Sequence, residues 1–486
     1  MAVFQESQVM VAGLSLRERI AHWLAHHAVI VFVVLSAAFG PAIVMLHPPL
    51  RAPDEAAHFL RAYGIAQGDI IPSTVDGMGR KGTHLPASLA ADFHFFEEVR
   101  HRVSAGDMSY REVLSGFATR PTDISVYIGA PIFVLYTGSE GYSPIPYLPY
   151  VAAAFIARVS SLDFVNTLYL MRFAGLVAFT AIIAYAIARV PFFGWTFVAV
   201  AMLPAALYGR AVISADGASL AAAMMVVALS LRGAARIAGP SRLAESLWMA
   251  LCLLTKPPQI AFTLLALMKR PLRDSLAQWT SIALVTLPGV LLLGFWLVAS
   301  AGDTGTWRYV DLGEARSREF DPVWKLGYLL DHPGHFLSAS LQTFDASVEI
   351  GKQMIGVLGW LETTLHDWAY PALGVLLLAA LFAQIELDRE TRRRVAAVAL
   401  ASFFAYGLAI FLVCYLAWTP ITADRIHGVQ GRYFIVVLPL AAIVLSAFLR
   451  RGVPRLLPAF AAMLGAVIGG AATIEAILRV DWQTVW

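Results

Sequence analysis

Long apolar runs recur along almost the whole 486-residue chain, and no other feature limits its fold as much. A helix needs roughly 20 predominantly apolar residues to cross the hydrocarbon layer, where every backbone N–H has to find its partner inside the segment. Runs of that length lie near 27–46, 165–189, 191–209, 211–232, 277–300, 369–387, 395–418, 433–450 and 455–476. A further run, 243–269, is interrupted at Lys256-Pro257-Pro258. Proline removes a donor and stops a straight helix, so this run reads as two short helices meeting at the break. The sum is about eleven crossings of bilayer length. Composition agrees: 58% of the residues are hydrophobic and 14% charged, against roughly 25% charged in a soluble domain. The expected fold is an all-α polytopic helical bundle, a single transmembrane domain over 1–486. A formal net charge of +3 is too small to point to a nucleic-acid partner. Cys252 and Cys414 both lie inside apolar runs, which suits core packing better than a disulfide framework or a thiolate metal site.

Basic residues set the expected orientation. Arg17 and Arg19 precede a run too long for a signal-peptide core, which reads as a retained first helix. Arg17/Arg19, Arg232/Arg236/Arg242, Lys269/Arg270/Arg273, Arg392/Arg393/Arg394 and Arg450/Arg451/Arg455 fall on one side if the short segment 146–160 lies in the interface instead of crossing. The positive-inside rule makes that side the cytoplasm. The N-terminus is then cytoplasmic, and two large loops, 47–145 and 301–368, face the exterior. The second loop carries an amphipathic run around 324–350, expected to be a surface-lying helix.

Within this topology the ionisable residues converge. Pro53-Asp54-Glu55-Ala56-Ala57-His58 follows the first span directly. Charges at the mouth of a bilayer helix are costly and usually functional, although Asp-Glu after proline also makes a good helix start. Ser214-Ala215-Asp216, Lys256-Pro257-Pro258 and the stretch from Asp424-Arg425 to Gln430-Gly431-Arg432-Tyr433 come to the same external level. Asp54, Glu55, His58, Asp216, Lys256, Asp424 and Arg432 are therefore expected around one pocket, suited to an anionic headgroup with a greasy tail. Plainer readings compete. Asp216 makes a helix cap, Lys256 snorkels, and Tyr142, Tyr147 and Tyr150 form an interfacial belt. Gly356 to Glu362, with Trp360, is a turn serving either packing or a cavity wall.

Five strings carry a resemblance: Pro53-Asp54-Glu55-Ala56-Ala57-His58-Phe59, Ser214-Ala215-Asp216, Thr255-Lys256-Pro257-Pro258, Gly356-Val357-Leu358-Gly359-Trp360-Leu361 and Gly428-Val429-Gln430-Gly431-Arg432-Tyr433-Phe434. In this order they resemble the signatures of the bacterial membrane-protein family called domain of unknown function 2142. That family is in turn similar to the GT-C superfamily of integral-membrane glycosyltransferases, which use polyprenyl-phosphate-linked sugars. The resemblance implies a GT-C-like bundle in the bacterial inner membrane, with Asp54 and Glu55 as the first acidic motif, Asp216 as the second acid and Lys256-Pro257 as the lysine-proline break. The motif departs from many members, whose two acids are spaced differently.

The implied chemistry needs a base for the acceptor hydroxyl and cations for the departing lipid phosphate. Asp54 is the first choice of base, with Glu55 its catalytic neighbour. Lys256 and Arg432 anchor phosphate, while His58, Asp216, Trp360, Asp424, Gln430 and Tyr433 contact substrate. A divalent cation, Mg or Mn, if one is used, falls to Asp54, Glu55 and Asp216. The expected partners are a polyprenyl-phosphate-linked sugar, a glycan or lipid acceptor and the bilayer, and attack from the face opposite the leaving group inverts the anomeric centre. A polymerase or ligase of lipid-linked glycans would be expected to centre on arginine and histidine, and a flippase to show repeated broken helices.

Overall fold

A computed structural model describes residues 27–77, 79–119, 129–136, 138–237, 241–269, 276–300, 318–383, 385–448, 454 and 456–483. In chain order its α-helices are α1 (Ala28–Leu46), α2 (Glu55–Ala66), α3 (Ala87–Ser104), α4 (Tyr110–Thr119), α5 (Leu148–Val159), α6 (Phe164–Arg189), α7 (Gly194–Ala201), α8 (Pro204–Ala211) and α9 (Asp216–Ala234). There follow α10 (Arg242–Thr255), α11 (Leu276–Ala299), α12 (Pro322–Asp331), α13 (Pro333–Thr343), α14 (Ser347–Gly356), α15 (Ala369–Leu381), α16 (Arg389–Trp418), α17 (Leu438–Phe448) and α18 (Leu456–Val480). Two small antiparallel ribbons complete the fold: β1 (Gly82–Leu85) on β2 (Ile132–Leu135), and β3 (Val357–Leu358) on β4 (Thr363–Thr364).

Among the described residues, 7 helices are long and apolar enough to cross a membrane: α1, α6, α9, α11, α16, the stretch Gly431–Phe448 that ends in α17, and α18. The protein is therefore an all-α, multi-pass membrane protein. Three of the apolar runs, which account for four of the eleven expected crossings, take another form. The run 191–209 is two helices, α7 and α8, because Pro204 has no N–H to continue the ladder and holds Leu203 extended. Both pieces are buried, so they belong to the bundle core. The run 243–269 breaks where expected, with Lys256 extended between α10 and a 3-10 segment, Pro257–Lys269. The run 369–387 supplies only α15. Ile145–Val159, a 3-10 turn leading into α5, is apolar but shorter than the seven.

α9 is the axis of the bundle. Its apolar window is 89% buried, and it packs against α6, α8, α10 and Pro257–Lys269. Alanine and glycine occupy much of it, so its neighbours approach closely and its first residue, Asp216, is carried to the end of the core. The region expected as one surface helix over 324–350 is instead α12, α13 and α14, broken at His332-Pro333 and at a turn over Phe344–Ala346. Val323, Leu330, Leu337, Leu341, Phe344 and Val348 are exposed along it, an apolar face of the kind that lies against lipid. α14 then packs against Gly431 so tightly that a Cβ there would collide with backbone atoms of Ile350 and Met354.

Arg17, Arg19, Arg270, Arg273, Arg450, Arg451 and Arg455 lie outside the described residues, as do residues 301–317 of the second loop. Orientation is testable at exposed positions. Cysteine at Gly77 is expected to react with an impermeant reagent added outside the cell, and cysteine at Arg393 only after permeabilisation. External labelling at position 393 would overturn the orientation.

Candidate functional site

The site begins in the tight link between α1 and α2. The Arg51 N–H donates to the Pro48 carbonyl and the Glu55 N–H to the Ala52 carbonyl. Asp54, between these turns, takes φ 56° and ψ 14°, and its side chain makes no capping bond to the helix it precedes. A left-handed aspartate costs roughly 1 kcal/mol and persists only where its surroundings impose it. The capping role open to this residue is not the one it plays. Its carboxylate, 46% exposed, points to Arg432, with Oδ2 3.5 Å from Nη2.

Arg432 links the pieces. Its Nη1 lies 3.6 Å from Asp216 Oδ2, and the other Asp216 oxygen accepts from Lys256 Nζ. Asp216 starts α9 without capping it, and Ser214 Oγ accepts from its N–H. Lys256 is fixed by the break in its own run. Gln259 accepts from Thr255 Oγ1 at 2.7 Å and donates to the Ser219 carbonyl of α9 at 3.1 Å. The Tyr433 ring lies 4.8 Å from Lys256 Nζ and 5.4 Å from the Arg432 guanidinium carbon. Both carboxylate distances at Arg432 exceed a good charge-assisted hydrogen bond, and its buried Nε has no hydrogen-bond partner among the described residues.

These groups border an open cleft, lined by Asp54, His58, Tyr142, Lys256 and Tyr433 on its polar side and by Pro257, Pro258, Ile410, Val413 and Trp418 on its apolar side. A second, much narrower space shares Lys256 and Tyr433 and reaches Asp216 and Arg432. His58 Nδ1 is 2.6 Å from the Tyr147 hydroxyl, and burial draws its pKa down to about 4, so the imidazole is neutral near pH 7. Tyr147 and Tyr150 are fully buried, which replaces the interfacial belt expected of them. Tyr150 donates to the carbonyls of Val212 and Ser214 at 3.0 and 3.2 Å and so holds the segment before Asp216.

Glu55 goes elsewhere. It is wholly buried behind the cleft, where Arg172 Nε and Nη2 donate to its two oxygens at 2.8 and 2.6 Å. Burial pushes its carboxyl up and Arg172 more than reverses this, leaving it below the ordinary value. Glu55 Oε1 also accepts the Ile213 N–H at 3.1 Å, and Arg172 donates to the carbonyls of His47 and Pro48 at 2.6 and 2.9 Å. One ion pair thus joins the Asp54 loop to the segment that leads into Asp216.

Three further expected residues stand outside the cleft. Trp360 lies against Arg100, 5.1 Å from ring to guanidinium. Asp424 is exposed, and Gln430 precedes the 3-10 turn that presents Arg432, with its Oε1 buried and unpartnered among the described residues. The donor set does not fit a divalent cation. Asp54 and Asp216 share Arg432, Glu55 is committed to Arg172, and no group of three His, Cys, Asp or Glu among the described residues has metal-binding geometry.

Arg172 and Arg51 were not anticipated. Arg51, only 1% exposed, pairs with Glu362 and, through Nε at 3.2 Å, with Asp481 at the end of α18. An arginine inside an apolar run is a recognisable signal, since lone charge is costly there; Arg172 in 165–189 carried it.

The model of the family described as "Predicted membrane protein (DUF2142)" matches residues 38–444. The chain belongs to that family. The matched span contains Asp54, Asp216, Lys256, Arg432 and Tyr433, so the whole cleft cluster is family territory, while α18 with Asp481 lies beyond it. Neither a curated protein nor a solved structure matches the chain.

Proposed function

We propose that this member of the family is an integral-membrane glycosyltransferase of GT-C type. It takes a sugar from a polyprenyl-phosphate-linked donor and passes it to an envelope glycan or lipid on the external face of the bacterial inner membrane. One observation carries the reading. Arg432 stands between two carboxylates at 3.5 and 3.6 Å with donor capacity to spare, beside an apolar wall and a second cation, Lys256.

Charge bookkeeping supports transfer at this place. Asp54, Asp216, Lys256 and Arg432 sum to zero. In the reaction the bond from the anomeric carbon to the phosphate oxygen breaks, and its electron pair leaves with the lipid phosphate. The acceptor oxygen bonds to that carbon and its proton passes to Asp54. One negative charge is thereby lost at Asp54 and one gained at the phosphate, with Arg432 positioned to interact with both ends. Lys256, supported by Asp216, compensates the leaving group, and the apolar wall suits the polyprenyl chain. Attack opposite the leaving group inverts the anomeric centre.

The test supplies lipid-linked sugar and acceptor to the detergent-solubilised protein and looks for a new glycosidic product. A flippase needs two membrane faces and makes none; absence of product across a donor panel, with movement of lipid-linked sugar in vesicles, would overturn the reading. Arg432→Lys is expected to weaken donor binding about tenfold to a hundredfold, because an ammonium cannot make the planar two-pronged contact. Lys256→Met is expected to slow turnover by about a hundredfold by leaving the departing phosphate uncompensated. Donor affinity by titration and single-turnover rates separate the two effects.

A further inference from the structure

Around Arg51, in the link that carries Asp54, lies a group of side chains that the donor site does not use. The β3–β4 ribbon ends in a turn with two left-handed residues, Gly359 at φ 60° and Leu361 at φ 71°. The turn presents Trp360, 44% exposed, and folds Glu362 back toward Gly359, where any Cβ would strike the Glu362 carboxylate. Glu362 is anchored by buried Arg51, which sits in the same short link as Asp54. On the indole, 5.1 Å away, rests the guanidinium of Arg100 from α3.

Arg100 is poorly satisfied where it stands. Its nearest carboxylate, Glu97, is 4.0 Å away, outside hydrogen-bonding distance, and its buried Nε has no hydrogen-bond partner among the described residues. The Arg51–Glu362 pair ties the turn that carries Trp360 to the link between α1 and α2, three residues before Asp54. Aromatic surface beside an underused guanidinium, with the Glu362 carboxylate 27% exposed next to it, has the chemistry of a sugar shelf. The indole takes the C–H face of a pyranose, the carboxylate accepts hydrogen bonds from hydroxyls and the guanidinium takes an acidic substituent.

We propose that Trp360 and Arg100 form the acceptor subsite, and that the acceptor is a saccharide bearing a carboxylate or phosphate group. This rests on the glycosyltransferase reading for its role, since Asp54 would take the proton of the hydroxyl the shelf delivers. Neither residue belongs to the cluster around Arg432, so donor and acceptor sites can be disabled separately.

The experiment titrates the full-length protein in nanodiscs with two probes, tetragalacturonate and neutral maltotetraose, and separately with polyprenyl phosphate. Tetragalacturonate is expected to bind at least about tenfold tighter than maltotetraose, with Trp360→Ala weakening it about tenfold and Trp360→Phe restoring most of the loss. Arg100→Gln is expected to erase the preference for the acidic probe, and Arg432→Lys to leave it unchanged. Equal affinity for the two probes, no binding of either, or a Trp360→Ala variant that binds like the wild type would overturn the subsite. Polyprenyl phosphate binding without tetragalacturonate binding would remove the shelf and leave the transferase reading intact. The reverse would keep a saccharide shelf and remove the transferase.

Discussion

Asp54→Asn is expected to lower transfer by about 10²- to 10⁴-fold, the usual contribution of a general base, while the protein stays inserted and folded. The expectation of an intact fold comes from the backbone. Asp54 is held at φ 56°, a left-handed conformation that asparagine tolerates better than other non-glycine residues. Its carboxylate caps no helix, so the roughly 1 kcal/mol that follows loss of an N-cap is not at stake. Arg432 keeps Asp216 as a partner in the variant, and the side chain is nearly half exposed, so no buried charge is orphaned. What disappears is basicity. Asp54→Ala is a poorer test, because it strains the backbone as well. Single-turnover transfer from a lipid-linked donor, alongside a thermal unfolding curve in the same detergent, separates the outcomes. An Asn variant that turns over at near wild-type rate would show that Asp54 is not the base.

The sequence made some of this visible and concealed the rest for physical reasons. Asp54, Asp216, Lys256 and Arg432 were legible because each is an ionisable residue at the edge of an apolar run, beside a proline or a helix start that interrupts the run. Tyr433 followed as the neighbour of Arg432. Adjacency misled at Glu55. The left-handed turn at Asp54 sends two consecutive carboxylates in different directions, one into the cleft and one behind it, and conformation at a single residue is not written in hydropathy. The division of 191–209 into α7 and α8 was marked by Pro204, yet the uniformly apolar run reads as one crossing, since a buried core helix and a lipid-facing helix have the same composition. Trp360 was legible as an aromatic in a small-residue turn, but its partner Arg100 was not, because the contact joins that turn to α3, far away in the chain.

Removing one partner of the Glu55–Arg172 pair is expected to cost about 3–5 kcal/mol of stability, because the other is left as an uncompensated buried charge. Both side chains are wholly buried, and the pair has duties that no single neighbour can assume. Glu55 accepts the Ile213 N–H, while Arg172 serves the carbonyls of Val44, His47 and Pro48. Glu55→Ala should therefore unfold at markedly lower temperature and loosen both the Asp54 loop and the start of α9. Glu55 would then lose activity through geometry, as a positioning residue. The reading of Glu55 as a second catalytic carboxylate predicts the opposite pattern: a variant as stable as the wild type and inactive. A double-mutant cycle decides between them. Glu55→Leu with Arg172→Met removes both charges and should recover part of the stability lost in either single variant. If the single variants lose nothing, or the double variant loses the sum of the two, the pair is not the strut that sets the spacing of Asp54 and Asp216.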